Sequence, residues 1–489
     1  MANQDYTSPN TATTLSTPPL GNAKNVRQLW RKGALLAEQN EDFFQEMESK
    51  SERGLIWALT DLSKGEGSIM NFTTQSGFYK KPKLRDALFE GPTDFEKRRQ
   101  GNFQLKVDFA RWAVRDNKRT EEIMGMRGDI EAGTNVELGK TLGRFKTESL
   151  LALFLLKLPV ANVMYAGGKT LDTLKSADTF RWDEAVVVGQ AMKPLGGLPA
   201  NISGAGSKTP IWSQTFVAPE PAITSLKLDG AWRDVLKNGD VRGGQNTIFK
   251  GGYPTIDGHT IVPFNAIDHD GVGPMGSFLN PKAFLGKAAI TAGTDARVIY
   301  GGGNADDYAD EDFFRYFKGS PYEFIDTGVI TPDTTSTKYF IIYNTTGTAA
   351  GKWGMYAYTS GNDGNAITCT AHLGAAIAGV QNTTLGGVTY DAALNTTAHP
   401  LGSLIIPCNA LGVPTGSTIV FGRAGILRGY GLYRAEHTVD KLNGGFVTDR
   451  YLTSVFGQSF RYDRKDRVTS AMRLDHAITY PGIKLPTVA

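Results

Sequence analysis

Cysteine is almost missing from this chain. Its 489 residues hold two, Cys369 and Cys408, too few for the disulfide framework of a small secreted scaffold. A single bridge between them stays open, and reduced thiols in a chain made in a cytosol are what their scarcity favours. They lie 39 positions apart, so they do not make a zinc site. Long apolar runs are lacking too. The most apolar stretch, SLLALFLLKLP from Ser149, is about half the roughly 20 residues a bilayer span requires. The amino end, MANQDYTSPNTATTLSTPPLGNAKN, has no basic region followed by an apolar core and does not read as a signal peptide. These absences predict a soluble chain with no membrane partner. Charge of one sign is also in short supply. The formal net charge is +3, which excludes a chain given over wholly to nucleic acid. No internal repeat is present.

The signatures of chemistry are absent as well. Six histidines (259, 269, 372, 399, 437 and 476) are scattered, with no HExxH pair, no GxSxG elbow and no GxxxxGK[ST] phosphate loop. The acidic stretch GGGNADDYADEDFF, with Asp306, Asp307, Asp310, Glu311 and Asp312, lacks the alternating oxygens and distal Glu of a calcium loop and fits a solvated turn better. His269 beside Asp268 and Asp270 reads as a dyad or, given the glycines that follow, as a tight turn. The expectation is a protein that is not an enzyme, with no catalytic residues, no cofactor and no metal.

What the chain does have is glycine, 57 residues of it, and a succession of well-patterned elements. Residues 1–25 are Ser, Thr, Asn and Pro with little apolar periodicity. Leu29, Trp30, Leu35, Leu36, Phe43, Phe44 and Met47 then predict short amphipathic helices up to about Asp61. GSIMNFTTQSG alternates at Met70, Phe72 and Thr74. NFQLKVDF alternates at Phe103, Leu105, Val107 and Phe109. Beyond it Trp112 and Val114 fall out of register, which predicts a bulge near Ala110 or Arg111.

These two strands and the loop between them form one extended hairpin. A lone two-stranded hairpin is marginal in water, and no third strand is evident nearby, so its apolar face is predicted to lie on a neighbouring copy. From Lys80 to Arg119 the region carries twelve basic and six acidic residues. Mixed signs suit salt bridging between proteins better than a nucleic-acid arm, and a plain solvated loop is the bland alternative. The candidate inter-subunit contacts are Lys80, Lys81, Arg85, Lys97, Arg98, Arg99, Phe103, Leu105, Val107 and Phe109.

A long helix follows over 134–158. TNVELGKTLGRFKTESLLALFLLKLP opens on the capping box Thr134-x-x-Glu137 and stops at Pro159. Lys140, Arg144, Lys146 and Glu148 are expected to face outward, and taken alone the pattern also fits an ordinary buried helix. TFRWDEAVVVGQAMKP predicts another helix. KTPIWSQTFVAPEPAITSLKLDGAWRDVLKNG predicts a strand, a Pro-broken loop and a helix from near Leu228. IFKGGYPTIDGHTIVPFNAI predicts a hairpin about Asp257-Gly258. From about Thr291 to Gly416 the chain turns rich in Gly, Thr, Asn and Ala, with strand candidates KYFIIYN, KWGMYAYT, AITCTAHL and SLIIPCNAL.

The order of these parts resembles a tailed-bacteriophage major capsid protein of the Hong Kong ninety-seven type, closest to the podoviral N-four-like coat-protein family. The phrases that carry the resemblance are LFEG, QLKVDFARWAVR, FVAPEPAITSLKLDGAWRDVL, NTIFKGGYPTIDGHTIV and VFGRAGILRGYG, over roughly two thirds of the chain. The resemblance implies an α+β capsid fold. Its parts are an N-terminal arm (1–65), an extended loop (66–117), a peripheral domain with the spine helix 134–158 (118–200) and an axial and peripheral core (201–290). A β-rich insertion (291–416) and a return to the core (417–489) complete it. It further implies self-assembly through hexamers and pentamers into an icosahedral virion shell in the cytoplasm of a bacterial host. Portal, scaffolding and decoration proteins are implied partners, with packaged double-stranded DNA touched non-specifically on the inner face. A phage tail or adhesin component is the alternative, and repeats or trimeric heptads, neither present, would favour it.

Overall fold

In the computed structural model the described residues are 42–60, 69–75, 100–117, 127–195, 197–201, 212–238, 255–256, 259–264, 404–431, 436–442, 447–464 and 467–479. The short strands 283–284, 297–299, 338–343, 353–358, 366–368, 371–372, 384–385 and 388–389 are also described. The architecture is α+β. One six-stranded sheet is organised on the long strand Val447–Phe460. Ile426–Tyr430 pairs with its carboxy-terminal half and Glu436–Leu442 with its amino-terminal half. Asp108–Asn117 runs antiparallel along Val447 to Phe456, and because it shares residues with both of the others it must occupy the opposite edge. Ile56–Leu59 and Glu48–Ser49 extend the sheet beyond Ile426–Tyr430.

A second six-stranded sheet has the order Thr255–Ile256, His259–Phe264, Thr215–Pro219, Thr415–Phe421, Ala471–Ala477 and Val163–Tyr165. The predicted hairpin is there, with Ile256 paired to His259. Helices Trp182–Leu195, Glu220–Leu228 and Gly230–Asn238 supply its apolar cover, with Val188, Met192, Ile223, Leu226 and Trp232 packed against Phe216, Val420 and Leu474. The stretch expected to be a Pro-broken loop is therefore helix 220–228. Pro221 lies in its first turn, where the missing N–H is no loss. A third, antiparallel sheet joins Ala283–Phe284, Leu404–Cys408, Lys338–Tyr343, Trp353–Tyr358 and Ala371–His372.

The long helix spans Arg127–Leu156, 30 residues and about 45 Å, so it starts seven residues before the predicted capping box and leaves Thr134 inside it. Its second half enters the core between the two large sheets, where Leu150, Leu151 and Phe154 meet Phe44, Ile56, Val217, Phe421, Ile426 and Phe460. Lys146 does not face outward. It is fully buried, because it lies four residues after Leu142 and four before Leu150 on the inward row. Its ammonium sits 4.9 Å from the Tyr430 ring centroid and 5.4 Å from that of Phe456, where the negative ring faces offset the loss of water.

The amphipathic helices predicted up to Asp61 are not found over the described part, 42–60. That part holds one 3-10 turn, Gln45–Met47, and two strands. Phe44 and Ile56 are buried against the sheet and the long helix rather than in a local helical face.

Candidate assembly surface

The base of the extended hairpin pairs Ile69–Gln75 with Gln100–Lys106, in register from Ile69↔Lys106 to Gln75↔Gln100. Aromatic side chains lock the pair together. Phe72 stacks on Phe103 with centroids 4.8 Å apart and planes 10° from parallel, and Trp57 meets Phe72 edge-on at 6.1 Å. Leu105 is 1% exposed and packs on Leu59 and Leu427. Val107 packs on Val455. Two glycines make room for this docking. Gly429 and Gly457 are register partners. A Cβ on Gly457 would stand 2.0 Å from the Lys106 carbonyl oxygen, and one on Gly429 would stand 2.8 Å from Leu105 Cδ2.

The expectation that this apolar face rests on a neighbouring copy is thus corrected for Leu105 and Val107, which are buried in their own subunit. Among the described residues the hairpin base remains a two-stranded sheet, and the strand that the sequence did not reveal is Val447–Phe460, more than 300 residues downstream, which pairs with the continuation Asp108–Asn117. Phe103 is half-buried, against Phe72 and within 6.2 Å of Tyr462. Phe109 alone of the four is exposed, at 55%, with the Arg111 guanidinium 5.7 Å over its ring. Lys80, Lys81, Arg85, Lys97, Arg98 and Arg99 lie outside the described residues, as does the acidic stretch Asp306–Asp312.

The change of register falls at Val107, not at Ala110 or Arg111. One strand ends at Lys106, the next begins at Asp108, and pairing from Asp108 to Asn117 is regular. At Val107 the chain leaves one partner and takes another, and the buried row shifts to Ala110 and, in part, Trp112 against Leu138, Leu142 and Phe456. The opposite face shows Phe109, Arg111, Ala113 and Arg115. Arg115 reaches across to its register partner Asp449 with Nε–Oδ1 2.7 Å and Nη2–Oδ2 2.8 Å. This bidentate hydrogen bond raises the pKa of the guanidinium and lowers that of the Asp449 carboxyl. Among the described residues no strand pairs with the outer edge of Asp108–Asn117.

The segment entering this region is fastened by a buried ion cluster invisible in the sequence. Arg428 Nη1 bonds Asp42 Oδ2 at 2.5 Å and Glu48 Oε1 at 2.6 Å, and the Tyr430 hydroxyl donates to Glu48 Oε1. The Thr147 hydroxyl, on the long helix, donates to Asp42 Oδ1 at 3.1 Å and accepts from Phe43 N at 3.2 Å. Both carboxylates meet the same nitrogen, Nη1, and their charge offsets the loss of water at this fully buried guanidinium. The glycines and this cluster are the site residues that sequence reasoning missed, although Gly457 within SVFGQSF, in an otherwise strand-like run, marks a close backbone approach.

Nothing in the described residues assembles into a catalytic constellation. No group of three or more His, Cys, Asp or Glu could hold a metal there, and no described helix is long and apolar enough to cross a membrane. Cys408 is buried and unbridged, and burial pushes its thiol pKa up. His476 is buried, with Nε2 3.0 Å from the Thr418 hydroxyl and Nδ1 3.1 Å from the Ala477 carbonyl oxygen, a neutral ring satisfied at both nitrogens.

No protein-family model matches this sequence, and no curated protein matches it either. Solved structures do. The capsid asymmetric unit of cyanophage Pam1 superposes with a TM-score of 0.51 at 9% identity, covering 90% of this chain and 92% of that one. The capsid of Ralstonia phage GP4 gives 0.49 at 13% identity, covering 91% and 93%. At such low identity the likeness to the Pam1 subunit is one of fold: this chain is built, over nine tenths of its length, like a phage capsid subunit.

Proposed function

We propose that the chain is the major capsid protein of a tailed bacteriophage. Copies of it join as hexamers and pentamers into the icosahedral shell around a double-stranded DNA genome. The observation that carries this reading is the shared fold across nearly the whole of both chains, beside a hairpin whose base packs into the subunit's own core. The finer assignment, to the Hong Kong ninety-seven type and its podoviral N-four-like branch, rests on the order of arm, hairpin, spine helix and core sheets. In this assignment residues 1–65 are the arm, 66–117 the extended loop, 118–200 the peripheral domain, 201–290 and 417–489 the core, and 291–416 a β-rich insertion. The chain acts without catalysis, inside the virion, after assembly in the host cytoplasm with portal and scaffolding proteins and, on the outer surface, a decoration protein.

The contacts between copies are assigned to Phe109, to the half-exposed Phe103 and to the basic residues Lys80, Lys81, Arg85, Lys97, Arg98 and Arg99. Charge along an exposed strand edge guards it against wrong pairing and sets partner choice more than raw affinity. The test is expression of the chain with negative-stain microscopy of the product. Closed, uniform particles support the reading, and a soluble monomer or open fibres under all assembly conditions overturn it.

A further inference from the structure

The ion cluster at Asp42 uses one nitrogen of Arg428 and leaves two. Nη1 takes both carboxylates, Asp42 and Glu48. Nε and Nη2 form the side-on fork of the same guanidinium. Among the described residues they meet no acceptor, although the side chain is fully buried.

Across the strand junction stands Gln458, the register partner of Arg428 and likewise fully buried. Its Nε2 donates to the Lys146 carbonyl oxygen at 2.9 Å. That bond fixes the orientation of the amide, because the flipped form would set two acceptors against each other. The amide oxygen, Oε1, then meets no donor among the described residues. Register partners stand about 5 Å apart and project to the same face of a sheet. On its other side Arg428 is the register partner of Ala58, which offers only a methyl group. The nearby Thr147 hydroxyl is engaged with Asp42 and with Phe43 N. Two donors of a cation and one amide acceptor therefore share one face of the sheet under the long helix. No hydrogen bond joins them.

Buried polar groups in folded proteins are satisfied by protein or by ordered water. We propose that Arg428 and Gln458 hold one water molecule between the sheet and the long helix. The water accepts from Nε and Nη2 of Arg428 and donates to Oε1 of Gln458. These are about the three bonds that a buried water makes. The three groups also select against other small occupants. A chloride or carboxylate accepts from the fork but has no proton for Oε1, and it would share the guanidinium with two anions already present. A metal cation would face the N–H groups of another cation. Water both accepts and donates. Through it the strands Ile426–Tyr430 and Val447–Phe460 are tied to each other, and Gln458 ties both to the helix at the Lys146 carbonyl. This site is a property of one folded subunit and stands apart from the capsid reading.

The test is a crystal or cryo-microscopy structure of the full-length protein, assembled or not, at a resolution that shows ordered water. One isolated peak is expected within about 2.7–3.2 Å of Gln458 Oε1 and of Arg428 Nε or Nη2. A gap without density overturns the proposal, and so does a direct bond from the guanidinium to Oε1. Crystals soaked in bromide are expected to show no anomalous signal at the peak; a signal there identifies an anion and overturns it too. Gln458→Leu, which removes the acceptor, is expected to lose the peak. A peak that persists in this variant shows that Oε1 is not a partner and sinks the bridge. Should Gln458→Leu not fold, the wild-type map decides alone.

Discussion

Truncating Leu105 distinguishes a side chain that builds the subunit from one that joins subunits. Leu105 is 1% exposed, among Leu59 and Leu427, with Gly429 directly beneath its Cδ2. Leu105→Ala removes three carbons from this packed seat. The glycine below has no side chain to move into the gap, so most of the cavity persists. Substitutions of this kind lower stability by about 3 kcal/mol, within a range of roughly 2 to 5. With a urea dependence of about 3 kcal/mol per molar, the unfolding midpoint of the unassembled subunit is expected to fall by about 1 M. Phe109→Ala is the contrast. Phe109 is exposed at 55%, so the same midpoint is expected to move by less than about 0.2 M, an effect of about 0.5 kcal/mol, while particle yield drops. The assay is urea denaturation of unassembled protein followed by tryptophan fluorescence, since Trp57 and Trp112 flank the hairpin base, with light scattering for assembly. A Leu105→Ala subunit that unfolds like wild type but fails to assemble would refute the argument, because Leu105 would then belong to an interface.

Three further outcomes are expected. His476 has its pKa lowered to about 4 by burial, below the roughly 6.5 of an unfolded chain. Its contribution is whole above pH 6.5 and is lost as the pH falls toward 4, by about 3 kcal/mol; His476→Gln should flatten the stability profile in that window, and an unchanged profile would reject the assignment. Lys97, Arg98 and Arg99 changed together to Glu should leave the unassembled subunit melting within about 2 °C of wild type, since exposed pairs contribute about 0.2–1 kcal/mol each. The same variant should abolish closed particles at moderate salt, and normal assembly would reduce these charges to a solvated surface. Replacing residues 291–408 by a Gly/Ser linker should still give closed shells without outer protrusions. Carrying the excision to 416 removes Asn409 and the start of the core strand Thr415–Phe421 and should cost soluble protein; equal yields from both deletions would show that the strand does not depend on that anchor.

The elements written into local periodicity were legible before any coordinates. The alternation of Phe103, Leu105 and Val107, the existence of the long helix, the strands flanking Asp257-Gly258 and the strands in KYFIIYN, KWGMYAYT and SLIIPCNAL depend on residues a few positions apart, and they stand where the pattern put them. The order of those elements also sufficed to suggest the capsid fold. What the apolar faces would touch was not legible, because that is decided by residues distant in the chain. Leu105 found its cover on Leu59 and Leu427 and Val107 on Val455, admitted by two glycines whose meaning is steric and appears only when backbones approach. Lys146 looked like a surface residue because its charge is local, whereas the Tyr430 and Phe456 rings that accept it are not. The segment at Asp42 is held by an Asp42–Arg428 pair spanning 386 positions. Sequence therefore determined the elements and their periodic faces. Tertiary structure decided which faces were satisfied within one subunit and which, like Phe109, stayed exposed, since burial is a property of the closed assembly of elements and not of any one of them.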